Sequence, residues 1–352
     1  MRAESTRRVS SAIGASRWYL RETLVGLLLN AGATLKHQYM RLIALTAVLG
    51  VLVVANASAQ TPPNPQPVDE SNLPDNQKSA TEVNKELSNP ISSIWALQIQ
   101  ENTFFIHPGI EDKSSRNAVN VQFQPVLPVA LTNDWNLITR PVIQVVNSVP
   151  VPTLVAPGVG VVAPGVRTGG IYQATGFGDT ILATLLSPSP RLAGPWLLGA
   201  GPTFIFPTAT TTNVGQKKWQ LGPGGVFGYL GEHYIVGVFP QQWFSVGGNG
   251  SKQTSQMNVQ YFAAYFLPHG WSVGTSPNVL INWYASDGNK VTFPIGLNVS
   301  KVQKLGILPV KFQVQGQYMP VNPSVFGQRW NIQVAITPVI PKLIKGNILE
   351  GW

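Results

Sequence analysis

The chain has no cysteine among its 352 residues. A disulfide framework, a thiolate metal site and a cysteine nucleophile are therefore excluded. Histidine is nearly as scarce: His37, His107, His233 and His269 are the whole set, and none stands in a His-x-x-x-His or Glu-x-x-His spacing. That removes the usual helical metal-ligand pairs. Asp, Glu, Lys and Arg together make up 11% of the chain, less than half of the roughly 25% of an average soluble protein. There are too few charges to coat the surface of a soluble domain of this length. Beyond residue 55 no apolar run reaches the roughly 18 residues that a spanning helix would need.

Against these absences stands one recurring pattern. Val119-Asn120-Val121-Gln122-Phe123-Gln124 alternates apolar and polar residues strictly. The pattern returns at Gln256 to Tyr261, at Val310 to Gln315 and at Trp330 to Val334. Period-two alternation is a β-strand with one apolar and one polar face. The polar faces are Gln and Asn rather than Lys and Glu. Neutral polar residues turned to a confined interior, with Val, Ile and aromatics turned outward, are what a transmembrane β-barrel requires. The fold expected is all-β: an antiparallel transmembrane β-barrel of about twelve strands.

The strands are read at 94–105, 118–128, 135–146, 179–186, 196–208, 219–230, 234–246, 256–266, 271–285, 291–302, 308–319 and 330–339. Most have about ten residues, the length that crosses a bilayer when tilted. Their connections alternate long and short, the habit of outer-membrane barrels with long external loops and short periplasmic turns. With an even strand number both termini fall in the periplasm. Trp135, Trp196, Trp219, Tyr234 and Trp271 begin strands, as an interfacial aromatic girdle would. Pro125, Pro141, Pro202, Pro223, Pro277, Pro294 and Pro309 fall inside strands, where a missing donor calls for bulges or breaks.

The N-terminal part reads differently. Met40-Arg41, the apolar run 42–55 and Ala57-Ser58-Ala59 give the three regions of a signal peptide at 40–59, cut after Ala59. The alternative is a membrane anchor, for which the run is short. Residues 1–39 are a non-native upstream extension or a long n-region. Segment 60–90 is a flexible, Pro-rich periplasmic linker with a possible short helix near 79–87, where Ser79 and Glu82 have capping-box spacing. The barrel is assigned 91–340 and a tail 341–352. Of the net charge of +9, residues 1–59 carry +5, seven basic against two acidic, which leaves +4. No basic stripe suited to nucleic acid remains.

Candidate lumen residues follow from parity: Gln122, Gln124, Arg140, Gln144, Gln260, Lys311, Gln313, Gln315 and Gln333. A lipid-facing Arg or Lys costs up to about 2–4 kcal/mol at the midplane, which places Arg140 and Lys311 inside. Two roles fit them: a mild preference for anions or carboxylates, or structural pairing. Glu101 falls on the opposite parity and is expected at the rim. The long segment 147–178 is apolar and rich in Pro and Gly. Val149, Val151, Leu154, Val161 and Val162 are its candidate constriction residues; an extra hairpin, giving fourteen strands, is the second reading. No catalytic constellation is found. His107 beside Ser114 or Ser115 is the one local pairing of base and hydroxyl, and an exposed loop explains it. Neither cofactor nor metal is expected.

Several motifs in order carry a family resemblance: Asn89-Pro90-Ile91-Ser92-Ser93-Ile94-Trp95, Asn120 to Val126, Asp134 to Pro141, Gly176-Phe177-Gly178-Asp179, Gly199 to Phe204, Pro207 to Thr210 and Lys218 to Pro223. Together, from about Asn89 to Val339, they resemble the bacterial outer-membrane family named for the meta-pathway of phenol degradation, often mislabelled neuromedin U. The resemblance implies a barrel in the bacterial outer membrane and a role in uptake of hydrophobic or aromatic compounds. It supplies no catalytic or binding residues. The function expected is a channel or transporter for small solutes; the alternative is a non-transporting structural or adhesive barrel. The partners implied are outer-membrane lipid, the barrel-assembly machinery and a small-molecule solute, with no nucleic acid.

Overall fold

A computed structural model of the chain describes residues 78–107, 116–154, 168–249, 253–344 and 346–349, all within one compact unit. The segments expected to be an upstream extension or long n-region, a signal peptide and most of the linker, up to residue 77, lie outside the described residues.

A short helix, α1 (Ala80–Ser88), precedes β1 (Ala96–His107), β2 (Arg116–Ala130), β3 (Trp135–Leu154), β4 (Thr168–Gly176) and β5 (Thr180–Pro188). One helical turn, α2 (Pro190–Ala193), leads to β6 (Trp196–Phe206), β7 (Lys218–Leu230), β8 (Tyr234–Gly248) and β9 (Ser255–Phe266). Then come β10 (Trp271–Thr275), β11 (Asn278–Asn282), β12 (Val291–Leu305), β13 (Leu308–Val321) and β14 (Gly327–Pro338). All pairings are antiparallel, and β1 pairs with β14, which closes the barrel.

Fourteen strands make twelve staves. β10 and β11 both pair with β9 and β12 in one continuous register, interrupted at Ser276-Pro277. Proline has no N–H to give the ladder, so the stave breaks there. β3 is the second case. Its first half pairs with β5, from Trp135↔Pro188 to Val142↔Ile181, and its second half with β4, from Asn147↔Gly176 onward. β4 pairs with β3 alone, so β3 and β4 run on as a hairpin beyond the β5 stave. The segment read as a candidate constriction is thus, over its described parts, largely strand.

Other prolines meet in the sheet. Pro202 lies opposite Pro223, and rungs Phe123↔Ile143 and Leu127↔Thr139 flank a gap holding Pro125 and Pro141. Two residues without donors then share one interruption instead of making two. Pro294 sits at the register shift between Phe293 and Ile295, a bulge in the sense the sequence suggests.

The outer face is apolar. Ile99, Leu198, Val236, Leu297, Val314 and Ile332 are exposed there, on the parity opposite to the Gln and Asn residues. Facing water such a band would be unfavourable; against lipid it is the expected covering. Aromatic belts mark its two edges. Trp196 packs on Phe227 and Tyr229, with Tyr229 on Tyr234, at the short-turn end. Phe206 meets Trp219 and Tyr318 meets Trp330 at the long-loop end. Lys301 Nζ lies 4.7 Å from the ring centre of Trp271 at the short-turn edge, where an ammonium reaches the headgroup region. No helix of the described residues is long and apolar enough to cross a membrane.

The tail returns along the short-turn end. Ile340 N–H donates to Trp95 O, and Ile348 N–H donates to Ala130 O at 3.0 Å.

Candidate functional site

The candidate site is the barrel interior, and α1 occupies part of it. Ser79 caps the helix: its Oγ accepts from the Glu82 N–H at 3.1 Å. Asn89 is extended, as a residue before proline must be, and Pro90 prevents continuation. One face of α1 is apolar. Val83 and Asn84 are completely buried, and Val83 packs with Ile94, Val302 and Val339, flanked by Ala80 and Leu87. Segment 80–90, expected as the end of a linker, is therefore seated against the inner wall at the short-turn end.

Its seat is the turn between β9 and β10. Asn84 Nδ2 donates to Gly270 O at 3.0 Å, Gly270 N–H donates to Thr81 Oγ1 at 3.1 Å, and Thr81 Oγ1 donates to Leu267 O at 3.3 Å. Gly270 has φ +77, and a Cβ there would lie 2.8 Å from Ala80 Cβ and from Val302 O. Both the backbone conformation and the closeness of the helix require glycine. Past Asn84 the helix is held by β12 and β13: Ser300 Oγ donates to Asn84 Oδ1 at 3.4 Å and Lys311 Nζ to Ser88 Oγ at 2.7 Å. From β3, Arg140 Nη1 donates to Pro90 O at 3.2 Å.

Beside this plug the wall is apolar on its inner side. Ile138, Leu185, Leu197, Ile235, Phe239 and Phe262 form a buried cluster with Ile91 against it. Toward the long-loop end the wall turns polar, and its amides bond one another. Gln98 Nε2 donates to Gln100 Oε1 at 2.9 Å, Gln124 Nε2 to Gln122 Oε1 at 2.6 Å and Asn120 Nδ2 to Gln144 Oε1 at 3.1 Å. Neutral amides that bond one another make up much of this wall, and Gln315 Nε2 is buried there without a hydrogen-bond partner.

Between wall and plug lies a cavity of about 420 Å³. Gln122, Gln124, Arg140, Gln144, Gln260, Lys311, Gln313 and Gln333 line it. Gln315 is fully buried, with Ser276 Oγ donating to its Oε1 at 3.5 Å. Phe104, Val142, Ile181, Phe239, Phe262 and Met319 also line the cavity and add apolar surface among the amides. Arg140 lies 5.7 Å from the ring centre of Phe239, a cation–π contact. These apolar residues do not stand out in the Gln/Asn alternation. Their signal is in β8, where Ile235-Val236-Gly237-Val238-Phe239 is apolar on both faces; a strand of that kind has both sides covered.

Val149 and Val151 lie in the β3–β4 hairpin, opposite Ala174 and Tyr172, and Leu154 ends β3. Val161 and Val162, like Ser114 and Ser115, lie outside the described residues. At the long-loop end the described segment that turns toward the interior is 207–217. Buried Asp179, at the junction of β4 and β5, accepts from Ala209 N–H at 3.1 Å and from Gln216 N–H at 2.6 Å. Gln216 Nε2 donates to Gln256, and Gln216 Oε1 accepts from Gln220. Glu101, expected at the rim, instead lies near the middle of β1 on the outward face, opposite Val121 and Val334. Thr103 Oγ1, two residues along the same face, donates to it. Among the described residues no three His, Asp or Glu side chains gather as metal ligands.

No protein-family model and no curated protein matches the sequence. Among solved structures the chain is similar to an outer membrane channel from Pseudomonas putida F1, at 12% identity over 72% of this chain and 98% of that one, with a TM-score of 0.48. It is also similar to a FadL homologue from Pseudomonas aeruginosa, at 9% identity over 72% and 93%, with a TM-score of 0.39. A third likeness is to the toluene transporter TodX of Pseudomonas putida, at 9% identity over 72% and 91%, with a TM-score of 0.33.

Proposed function

We propose that this protein is an outer-membrane channel for small hydrophobic or aromatic solutes, held closed at its periplasmic end by α1. The observation that carries the reading is the cavity: a lumen lined both by neutral amides and by Phe104, Ile181, Phe239 and Phe262. Aromatic and aliphatic walls accept an apolar ring, while a few polar groups orient it. A barrel serving only as structure would gain nothing from keeping such a space. The short turns face the periplasm, which puts α1 and the C-terminal tail there, in keeping with an exported chain. The ordered motifs that resemble the phenol meta-pathway family support the same reading.

Uptake by proteoliposomes tests it. Purified full-length protein should accelerate entry of a small aromatic such as toluene or phenol over a charged sugar of similar size. Deletion of residues 80–90 should raise the flux of both. A folded barrel that passes none of these solutes, with or without α1, would instead support the structural or adhesive alternative.

A further inference from the structure

The two cations lining the cavity are satisfied by neutral groups. Lys311 Nζ donates to the hydroxyl of Ser88 and Arg140 Nη1 to the carbonyl of Pro90. Neither meets a carboxylate among the described residues. Glu86, the one acid among the residues lining the cavity, is engaged elsewhere: Ser92 Oγ donates to it at 2.6 Å and Lys78 Nζ lies 3.9 Å away. The acceptors Ser88 and Pro90 stand two residues apart, so both cations grip the same short piece of the plug. Ser88 Oγ already donates to Asn84 O at 2.8 Å, at the helix end where the partial charge is negative. The plug thus offers the cations a weak substitute for an anion.

We propose that Arg140 and Lys311 form a binding site for the carboxylate of an apolar aromatic acid, and that filling this site releases the plug. A carboxylate is the stronger acceptor, since it adds a full negative charge and two oxygens to bonds whose donors are already charged, whereas a hydroxyl or a carbonyl offers only a dipole. It takes the two donors from Ser88 and Pro90, while its ring lies against Phe239 and Phe262. The C-terminal end of α1 is freed first. The end held by Thr81 and Asn84 on the 267–270 turn remains as the hinge. This inference rests on the channel reading above and adds the solute class and the trigger.

The test uses the full chain in detergent and in planar bilayers, with benzoate as the probe and benzamide as its uncharged counterpart. Calorimetry should show benzoate bound about tenfold or more tightly than benzamide, the scale of one charged hydrogen bond. Arg140→Gln and Lys311→Gln should each lose a similar factor for benzoate, while Lys311→Arg keeps the charge and most of the binding. Benzoate should raise the conductance of the wild type and benzamide should not. A disulfide between Ile91→Cys and Gly199→Cys, where a Cβ on Gly199 would lie 3.4 Å from the Ile91 side chain, pins the released end of the plug in a chain with no other cysteine; it should abolish the rise without abolishing binding, and reduction should restore it. Equal binding of the two probes, or benzoate binding unchanged in both Gln variants, would overturn the site. Selective binding with unchanged conductance would overturn the release. Solute flux through the variant lacking residues 80–90, with no benzoate binding in the wild type, would sink this inference and leave the channel reading standing.

Discussion

Within each stave the face that a residue takes decides what it can be. Val121 and Gln122 are adjacent, yet Gln122 lines the cavity and Val121 lies on the outward face opposite Glu101. Val121→Arg should therefore weaken insertion into bilayers by about 2–4 kcal/mol if it lies near the midplane, read from urea-induced unfolding in lipid. Gln122→Arg should cost much less, since its side chain has a wet and polar surround. Equal losses would refute the assignment of faces. Gly270 makes a second residue-scale test. A β-branched side chain at its positive φ costs on the order of 1–3 kcal/mol and meets Ala80 and Val302 at once. Gly270→Val should unseat α1, raise basal conductance and leave the strand content in circular dichroism unchanged. Alternation alone makes Gln122, Arg140 and Lys311 legible as inward residues. It does not do so for Phe239 and Phe262, because an apolar residue on an inward face looks the same in sequence as one on an outward face.

Among the elements, strands are readable from sequence and the helix only halfway. Ten-residue alternating segments and the parity of connections mark out twelve staves, and the breaks fall where prolines predict them, at Pro277 and Pro294. The capping residue Ser79 and the stop at Pro90 announce α1 as a helix. Nothing local announces its place, because its partners Gly270, Ser300 and Lys311 stand 186, 216 and 223 residues from the side chains they meet. The β3–β4 hairpin is an element in its own right, since β4 pairs with no other strand. Replacing 149–168 with a short Gly/Ser linker should leave the barrel folded. If the hairpin restricts the mouth, conductance in planar bilayers should rise and discrimination between apolar and polar solutes should fall. Unchanged conductance in a folded variant would remove it from any gating role.

For the whole molecule, the chain's poverty in charge fits an exterior covered by lipid. The signal peptide expected at 40–59 lies outside the described residues and is tested on the protein itself. N-terminal sequencing of membrane-derived protein should find Gln60 as the first residue. A mature chain that keeps residues 42–55 would show an anchor in place of a signal.

The long separations between α1 and its partners also set an order of events. The interior that receives the helix does not exist until β14 zips onto β1, and the side chains that grip it sit on some of the last strands to be made. The segment synthesised early is then among the last to settle, against a loop-closure cost spanning more than half the chain. If α1 is the seal proposed above, a barrel that has closed before α1 is seated has an unobstructed bore, and a slow final phase of sealing should trail the acquisition of β-structure in time.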